Sequence, residues 1–202
     1  MRYKAKTVLF CIVAEALNFI TAYIFFDMLR VPLFLDTIFT VAVTFYCGLV
    51  PGLVVAVFYN VLATLTLVIR GFSFEPYTML FGISGALIVF VTWLFAHRKE
   101  EFRISNAITA LYLVLISMLS SFASIISSGI IDYVRFSAVD LPARLSPIKK
   151  FTDSFVDQNF SLLAACFLGQ IPISITDRFV TTFAGFGVYR LMVRFFGEEH
   201  WS

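Results

Sequence analysis

Long runs of apolar residues, separated by short charged stretches, dominate the pattern of this sequence. An α-helix rises about 1.5 Å per residue, so about 20 apolar residues cross the hydrocarbon core of a bilayer. The runs therefore predict an all-α polytopic membrane protein with a single transmembrane domain over residues 1–202. Six membrane-spanning helices are expected, over residues 7–29, 33–48, 51–70, 78–96, 104–131 and 172–195.

Two of the apolar runs are too long for a single crossing and need a break. In the first, the break is placed at residues 48–52, because Pro51 begins a helix well and glycine ends one. In the second, near the C-terminal end, Pro172 interrupts the run. We expect a short interfacial or re-entrant helix at about 154–168 before the last span. A further span over that segment is the alternative.

The composition agrees with a membrane protein and narrows the possible functions. Of the 202 residues, 60% are hydrophobic and 14% are charged, which is more apolar surface than a soluble domain of this length can bury. The sequence has no HExxH, GxSxG or Walker A motif, and its three cysteines form no CxxC pair. We expect a protein that is not an enzyme and that holds no cofactor or metal. The net charge of +2 gives no reason to expect a nucleic-acid partner.

The basic residues in short loops set the expected orientation, because such residues remain on the cytoplasmic side of a membrane. With six spans, three basic clusters fall on one side. We therefore expect both termini to be cytoplasmic. The long outer loop, 132–158, carries four basic and four acidic residues and has less weight. The clusters are Arg2, Lys4 and Lys6; Arg98, Lys99 and Arg103; and Arg190 and Arg194.

Charged side chains within predicted spans are costly and point to function. Asp36 opens the second helix, Thr40 follows one turn later, and the pair Asp177–Arg178 lies in the outer half of the sixth helix. Asp36 has the alternative role of capping the helix N-terminus. Arg178 can pair with Asp177 or with Asp36. Charged elements that converge at one depth predict a polar cavity that opens outward.

Two asparagines and a row of serines are further candidates. Asn18 and Asn60 lie midway along the first and third helices. Asn60 belongs to a stripe of small residues with a period of four, so helix–helix contact is the alternative to ligand binding. Glu15, nearer the cytoplasmic end of the first helix, is a candidate for contact with a partner subunit. One face of the fifth helix carries Ser117, Ser121, Ser124 and Ser128, and it too is a candidate either for ligand binding or for helix–helix contact.

Several short motifs occur together along nearly the whole chain. They are Ala16-Leu17-Asn18 in the first helix, Pro-Leu-Phe-Leu-Asp-Thr at 32–37, the hairpin at 48–52 followed by Asn60, and an acidic–basic pair starting the last helix. With six spans in about 200 residues, this arrangement resembles the substrate-binding (S) component of energy-coupling factor transporters. Such transporters import vitamins and related micronutrients.

The resemblance implies a subunit that captures a vitamin-like small molecule on its outward face for an ATP-driven importer. Besides the substrate and the lipid bilayer, its implied partners are a transmembrane coupling subunit and two cytoplasmic ATPases. The implied substrate-binding residues are Asn18, Asp36, Thr40, Asn60, Asp177 and Arg178.

The first helix departs from the family in one respect. Many members carry an Ala-x-x-x-Ala pattern there for docking to the coupling subunit, whereas here Ala14 is followed four residues later by Asn18. Other small residues, such as Gly82, Gly85 and Ala86, are then the candidates for this surface.

Two other functions are compatible with the sequence. Similar multi-helix modules form the input half of bacterial sensor kinases, but residues 198–202 show no coiled-coil heptads. In the remaining interpretation the protein is a structural or assembly factor, and its polar residues only lock helices together.

Overall fold

The computed structural model describes residues 2–29, 31–71, 74, 76–98, 101–138 and 147–198. Every regular element in this part of the chain is helical, so the predicted all-α fold is confirmed. A π-helical segment, Tyr23–Met28, extends the first helix, and 3₁₀ segments occur at Pro76–Leu80 and Glu101–Arg103. The α-helices are α1 (Arg2–Ala22), α2 (Ile38–Cys47), α3 (Leu49–Ile69), α4 (Phe81–Ala96), α5 (Asn106–Ala138), α6 (Pro147–Val156) and α7 (Leu162–Phe196).

Five helical segments are long and apolar enough to cross a membrane. Their outward faces carry large apolar side chains that the rest of the protein leaves exposed, such as Ile12, Phe58 and Phe122. A soluble protein rarely exposes such rows, whereas lipid tails cover them. The chain is therefore a multi-pass membrane protein. The five segments are Ala5–Phe26, Leu49–Ile69, Pro76–Ala96, Asn106–Ala138 and Leu162–Phe196.

The second predicted span, 33–48, is helical only in its later part. The helix α2 has 10 residues, so it is about 15 Å long, half the thickness of a hydrocarbon core. The chain before it is non-helical, and Leu35 has a positive φ of 46°. Pro32 contributes to this, because it has no N–H donor and disfavours helical backbone at the preceding residue. We call residues 31–37 the unwound segment.

The last predicted span, 172–195, belongs to a longer helix than expected. The helix α7 runs without a break through Pro172. Proline lacks an N–H, so the carbonyl of Leu168 loses its usual intrahelical donor. In apolar surroundings no water satisfies the groups that a full break would free, and the helix continues for that reason. Its N-cap is Ser161, whose hydroxyl accepts a hydrogen bond from the backbone N–H of Ala164.

The short helix expected at 154–168 lies earlier in the chain. The helix α6 ends at Val156, and residues 157–160 lie outside any helix, within the segment that was expected to be helical. Contact with α7 accounts for the position of α6. A Cβ atom on Gly169 would come within 2.9 Å of Thr152 Oγ1, so the missing side chain lets the two helices touch.

The predicted outer loop, 132–158, is partly helical. The helix α5 continues to Ala138, because its buried face goes on past the serines to Asp132. Residues 139–146 of the loop lie outside the described residues, and so does Lys99 of the basic clusters.

The short helix α2 lies at the centre of the bundle. Eight of its 10 residues are buried, and it packs against α1, α3, α4 and α7. Glycines on two neighbouring helices make this possible. A Cβ on Gly185 would come within 2.7 Å of the carbonyl oxygen of Ile38, and one on Gly52 within 2.2 Å of Thr44 Oγ1. The unwound segment, which precedes α2, is thereby brought against the middle of α7.

Two small residues that the sequence suggested for docking a partner lie inside the bundle. Gly82 and Gly85 are buried, and a Cβ on Gly85 would lie 3.1 Å from the Cβ of Ala56. These glycines let α3 and α4 approach closely. They pack helices within the chain and offer no free docking surface.

Candidate functional site

The buried carboxylate of Asp177 binds the backbone of the unwound segment. The N–H groups of Phe34 and Leu35 donate to Asp177 Oδ1 over 3.0 and 2.8 Å. Asp177 is fully buried and lies near the middle of α7. A buried N–H group without an acceptor is costly, and Phe34 and Leu35 lie outside any helix. Asp177 therefore supplies the acceptor for two N–H groups that lie before α2 and have no helical partner.

The adjacent Arg178 holds the same segment at its other end. One guanidinium nitrogen, Nη1, donates to Thr37 Oγ1 over 2.8 Å. The other, Nη2, donates to Asp177 Oδ2 and lies 3.9 Å from Asp36 Oδ1. Both pairings that the sequence allowed for Arg178 thus occur, and the pairing with Asp177 is the closer. The carboxylate of Asp36 is the least buried member of this group.

Asn18 of α1 caps the start of α2 across the bundle. Its amide nitrogen donates to Thr40 Oγ1 over 2.9 Å, and its carbonyl oxygen accepts from the backbone N–H of Phe39 over 3.0 Å. The N-cap residue itself, Thr37, makes no side-chain capping bond. The capping role suggested for Asp36 is therefore filled by Asn18 from another helix.

Asn60 does not join the other predicted site residues. Its amide nitrogen donates to the carbonyl of Ala56, one turn earlier in its own helix, over 2.9 Å. Gly82 of α4 lies beside it, since a Cβ there would come within 4.0 Å of the Asn60 Cβ. These surroundings agree with the alternative of helix–helix contact. The structure thus brings together Asn18, Asp36, Thr40, Asp177 and Arg178, and leaves Asn60 apart.

A second polar network continues from this group along α7, and of its members only Ser121 was a candidate from the sequence. Gln170 Nε2 donates to Asp132 Oδ2 over 2.6 Å, and Ser174 Oγ donates to Gln170 Oε1 over 3.1 Å. Ser121 Oγ lies 3.4 Å from the carbonyl oxygen of Ser174, which accepts its hydrogen bond. The sequence does carry a signal for this network, because polar residues recur every three or four positions along α7 and so share one face of the helix. The buried polar residues of that face are Gln170, Ser174, Asp177, Arg178, Thr181 and Thr182.

Buried donors without a hydrogen-bond partner within the described residues include Ser120 Oγ and Ser124 Oγ of α5, Thr152 Oγ1 of α6 and Arg178 Nε of α7. Buried polar atoms are nearly always hydrogen-bonded, and exceptions often mark functional sites. Each of these hydroxyls, and the guanidinium N–H, can donate to a polar molecule that offers an acceptor oxygen or nitrogen. The sequence pattern singled out four serines of α5, and Ser120 is not one of them.

The described residues contain no group of three His, Cys, Asp or Glu side chains that could hold a metal ion. The contacts that the polar group does make are hydrogen bonds and ion pairs. Comparison with known proteins adds nothing to this picture: no family model, no curated protein and no solved structure matches the chain.

Proposed function

We propose that this chain is the substrate-capture subunit of an ATP-driven importer of vitamin-like small molecules, and that it binds its cargo on the outward face. The observation that supports this most is the unwound segment, which Asp177 and Arg178 hold inside a helical bundle. Non-helical backbone at membrane depth is tolerated where protein covers it or where it lines a cavity. Transporters place substrate sites at such interrupted helices.

The proposal assigns six crossings to the chain. Five are α1, α3, α4, α5 and α7, and the unwound segment together with α2 forms the other. An α2 of about 15 Å and an unwound segment of at most about 23 Å together exceed the roughly 30 Å of a hydrocarbon core. The basic clusters then favour cytoplasmic N- and C-termini, in the cytoplasmic membrane of a prokaryote.

The cargo in this proposal is recognised through hydrogen bonds and one charged group. Arg178 Nε and the hydroxyls of Ser120 and Ser124 supply donors. Asp36 supplies a carboxylate whose ion pair with Arg178 is long, at 3.9 Å, so a ligand can compete for it. The chain binds its cargo and does not transform it. Energy would come from two cytoplasmic ATPases, through a transmembrane coupling subunit.

Binding to purified protein tests the proposal directly. The chain is extracted gently, native mass spectrometry identifies a bound small molecule or co-purified subunits, and thermal shifts with a panel of vitamins give the affinity. We expect a vitamin-sized ligand, and we expect Asp36→Asn to weaken its binding about tenfold or more. The control is Asp153→Asn on α6, which makes the same substitution at a half-exposed carboxylate bonded to Lys149 and should leave binding unchanged.

Two other results would redirect the interpretation. A protein that binds no member of the panel and co-purifies with a signalling protein would identify a sensor module. A purely structural role is the second candidate, since Asn18 and Asp177 hold the start of α2 and the unwound segment in place through hydrogen bonds. In that case the only effect of Asp36→Asn would be on the melting temperature of the protein alone. No added ligand would shift the melting temperature of Asp36→Asn or of Asp153→Asn.

A further inference from the structure

A cavity of about 450 Å³ lies at the other end of α7, away from Asp177, between that helix and the beginning of α5. This volume lies in the range of small-molecule sites. None of the residues discussed for substrate capture lines it. Its lining residues are Phe102, Ser105, Asn106, Thr109, Phe186, Tyr189, Arg190, Val193, Arg194 and Glu198.

Two arginines dominate the charge of this cavity. Arg190 and Arg194 lie one turn apart on α7, and both are exposed. Within the described part of the chain, neither guanidinium takes part in an ion pair. Glu198 is the one carboxylate among the lining residues. Two guanidinium groups against one carboxylate leave an excess of one positive charge.

The opposite wall of the cavity supplies hydrogen-bond donors. The helix α5 begins at Asn106, and the first N–H groups of a helix have no intrahelical acceptor. Ser105 Oγ accepts from the N–H of Ile108 over 3.2 Å, which fixes this helix end. Asn106, the first residue of this helix, lines the same cavity as the two arginines. Arginine pairs and helix N-termini both favour phosphate oxygens.

Apolar groups on the inner side of the cavity suit the rest of a ligand. Phe102 and Phe186 stack with ring centroids 5.5 Å apart, and the Tyr189 ring centroid lies 5.6 Å from that of Phe186. Leu191 and Phe195, on the neighbouring outward face of α7, are exposed. A phosphate carried by an apolar or amphipathic molecule would therefore meet matching surfaces.

We propose that this cavity binds a phosphate group, carried by a lipid head group or by a soluble organophosphate. The site is separate from the proposed substrate site, so a failure of either proposal leaves the other unaffected. The excess of one positive charge favours a singly charged phosphodiester.

Three probes separate the possible sources of the phosphate. The delipidated full-length chain is incubated with phosphatidylglycerol, with diacylglycerol of the same acyl chains, or with glycerol 3-phosphate, and bound molecules are counted by native mass spectrometry. Phosphatidylglycerol should bind at least about tenfold more tightly than diacylglycerol. Binding of glycerol 3-phosphate as well would identify a soluble organophosphate site, and its failure would identify a lipid site.

A double variant, Arg190→Gln with Arg194→Gln, should lower phosphate binding about tenfold or more. Both side chains are exposed, so folding should be unaffected, and circular dichroism checks this. The control is Arg98→Gln at the end of α4, where the arginine side chain is 64% exposed and lies outside the cavity. Equal binding of phosphatidylglycerol and diacylglycerol, or full binding by the double variant, would overturn the proposal.

Discussion

Gln170 of α7 donates a hydrogen bond of 2.6 Å to the carboxylate of Asp132 in α5, and each residue is only 1% exposed. A buried carboxylate needs donors, because its desolvation is not otherwise compensated. Ser174 holds the other end of the Gln170 amide, so the orientation of the donor is fixed. The bond ties together the two longest helices of the described structure beside the polar group around Asp177.

Replacing Gln170 with leucine should destabilise the protein. The substitution removes a donor from a buried carboxylate, and we expect a loss of about 2 kcal/mol. The effect is measured as a change in melting temperature in detergent. After heating, the folded protein that remains is quantified by its peak in size-exclusion chromatography. Gln158→Leu is the matched control, because Gln158 is exposed and its side-chain amide donates to the carbonyl of Ser154. Equal melting temperatures for the two variants would show that the Asp132 bond contributes nothing.

The asparagines of α1 and α3, which have the same position midway along a span, should respond differently to substitution. Asn18 bonds α2 with both ends of its amide, whereas the Asn60 amide donates to the carbonyl of Ala56 in its own helix. Asn18→Leu should therefore cost about 1–2 kcal/mol and Asn60→Leu less than about 0.5 kcal/mol. Comparing their melting temperatures in one detergent tests this. A larger loss for Asn60→Leu would contradict the assignment of Asn18 as the cap of α2.

The membrane class and the helical architecture could be predicted from the sequence, because apolar runs of about 20 residues are typical of membrane-spanning helices. The errors came from rules for helix ends. Pro172 does not end a helix here, since apolar surroundings give the freed backbone groups no water. Conversely, residues 31–37 look apolar enough to be helical, but Asp177, which lies 142 residues after Leu35, stabilises them in another form. No local pattern reveals such a partner.

The residues of the candidate site could be predicted in part, but their contacts could not. Charged residues stand out in apolar runs, so Asp36, Asp177 and Arg178 could be selected by their type alone. Their pairing depends on tertiary contacts. Gln170 and Asp132 were missed because one lay next to an expected helix break and the other at the start of an expected loop.

Glu15 should tolerate loss of its charge. Both carboxylate oxygens are buried, and neither has a hydrogen-bond partner within the described residues. Burying a charge without a partner is unfavourable, so Glu15→Gln should leave the melting temperature of the isolated chain unchanged or raise it. The measurement uses the purified chain alone, and Glu101→Gln, which breaks a surface ion pair with Arg98, is the control. A clear loss of stability in Glu15→Gln alone would mean that the carboxylate is bonded in the folded protein.

The proposed orientation predicts which ends of the helices are reachable from outside the cell. Single cysteines replace Ser137, exposed near the end of α5, or Glu101, half-exposed just before α5 begins, in a chain whose native Cys11, Cys47 and Cys166 are changed to alanine. An impermeant maleimide added to intact cells should label Ser137→Cys and not Glu101→Cys, because α5 carries its basic flank on the cytoplasmic side. Permeabilised cells provide the control, in which both should react. Labelling of Glu101→Cys alone in intact cells would reverse the orientation and place the phosphate cavity outside and the Asp177 group toward the cytoplasm.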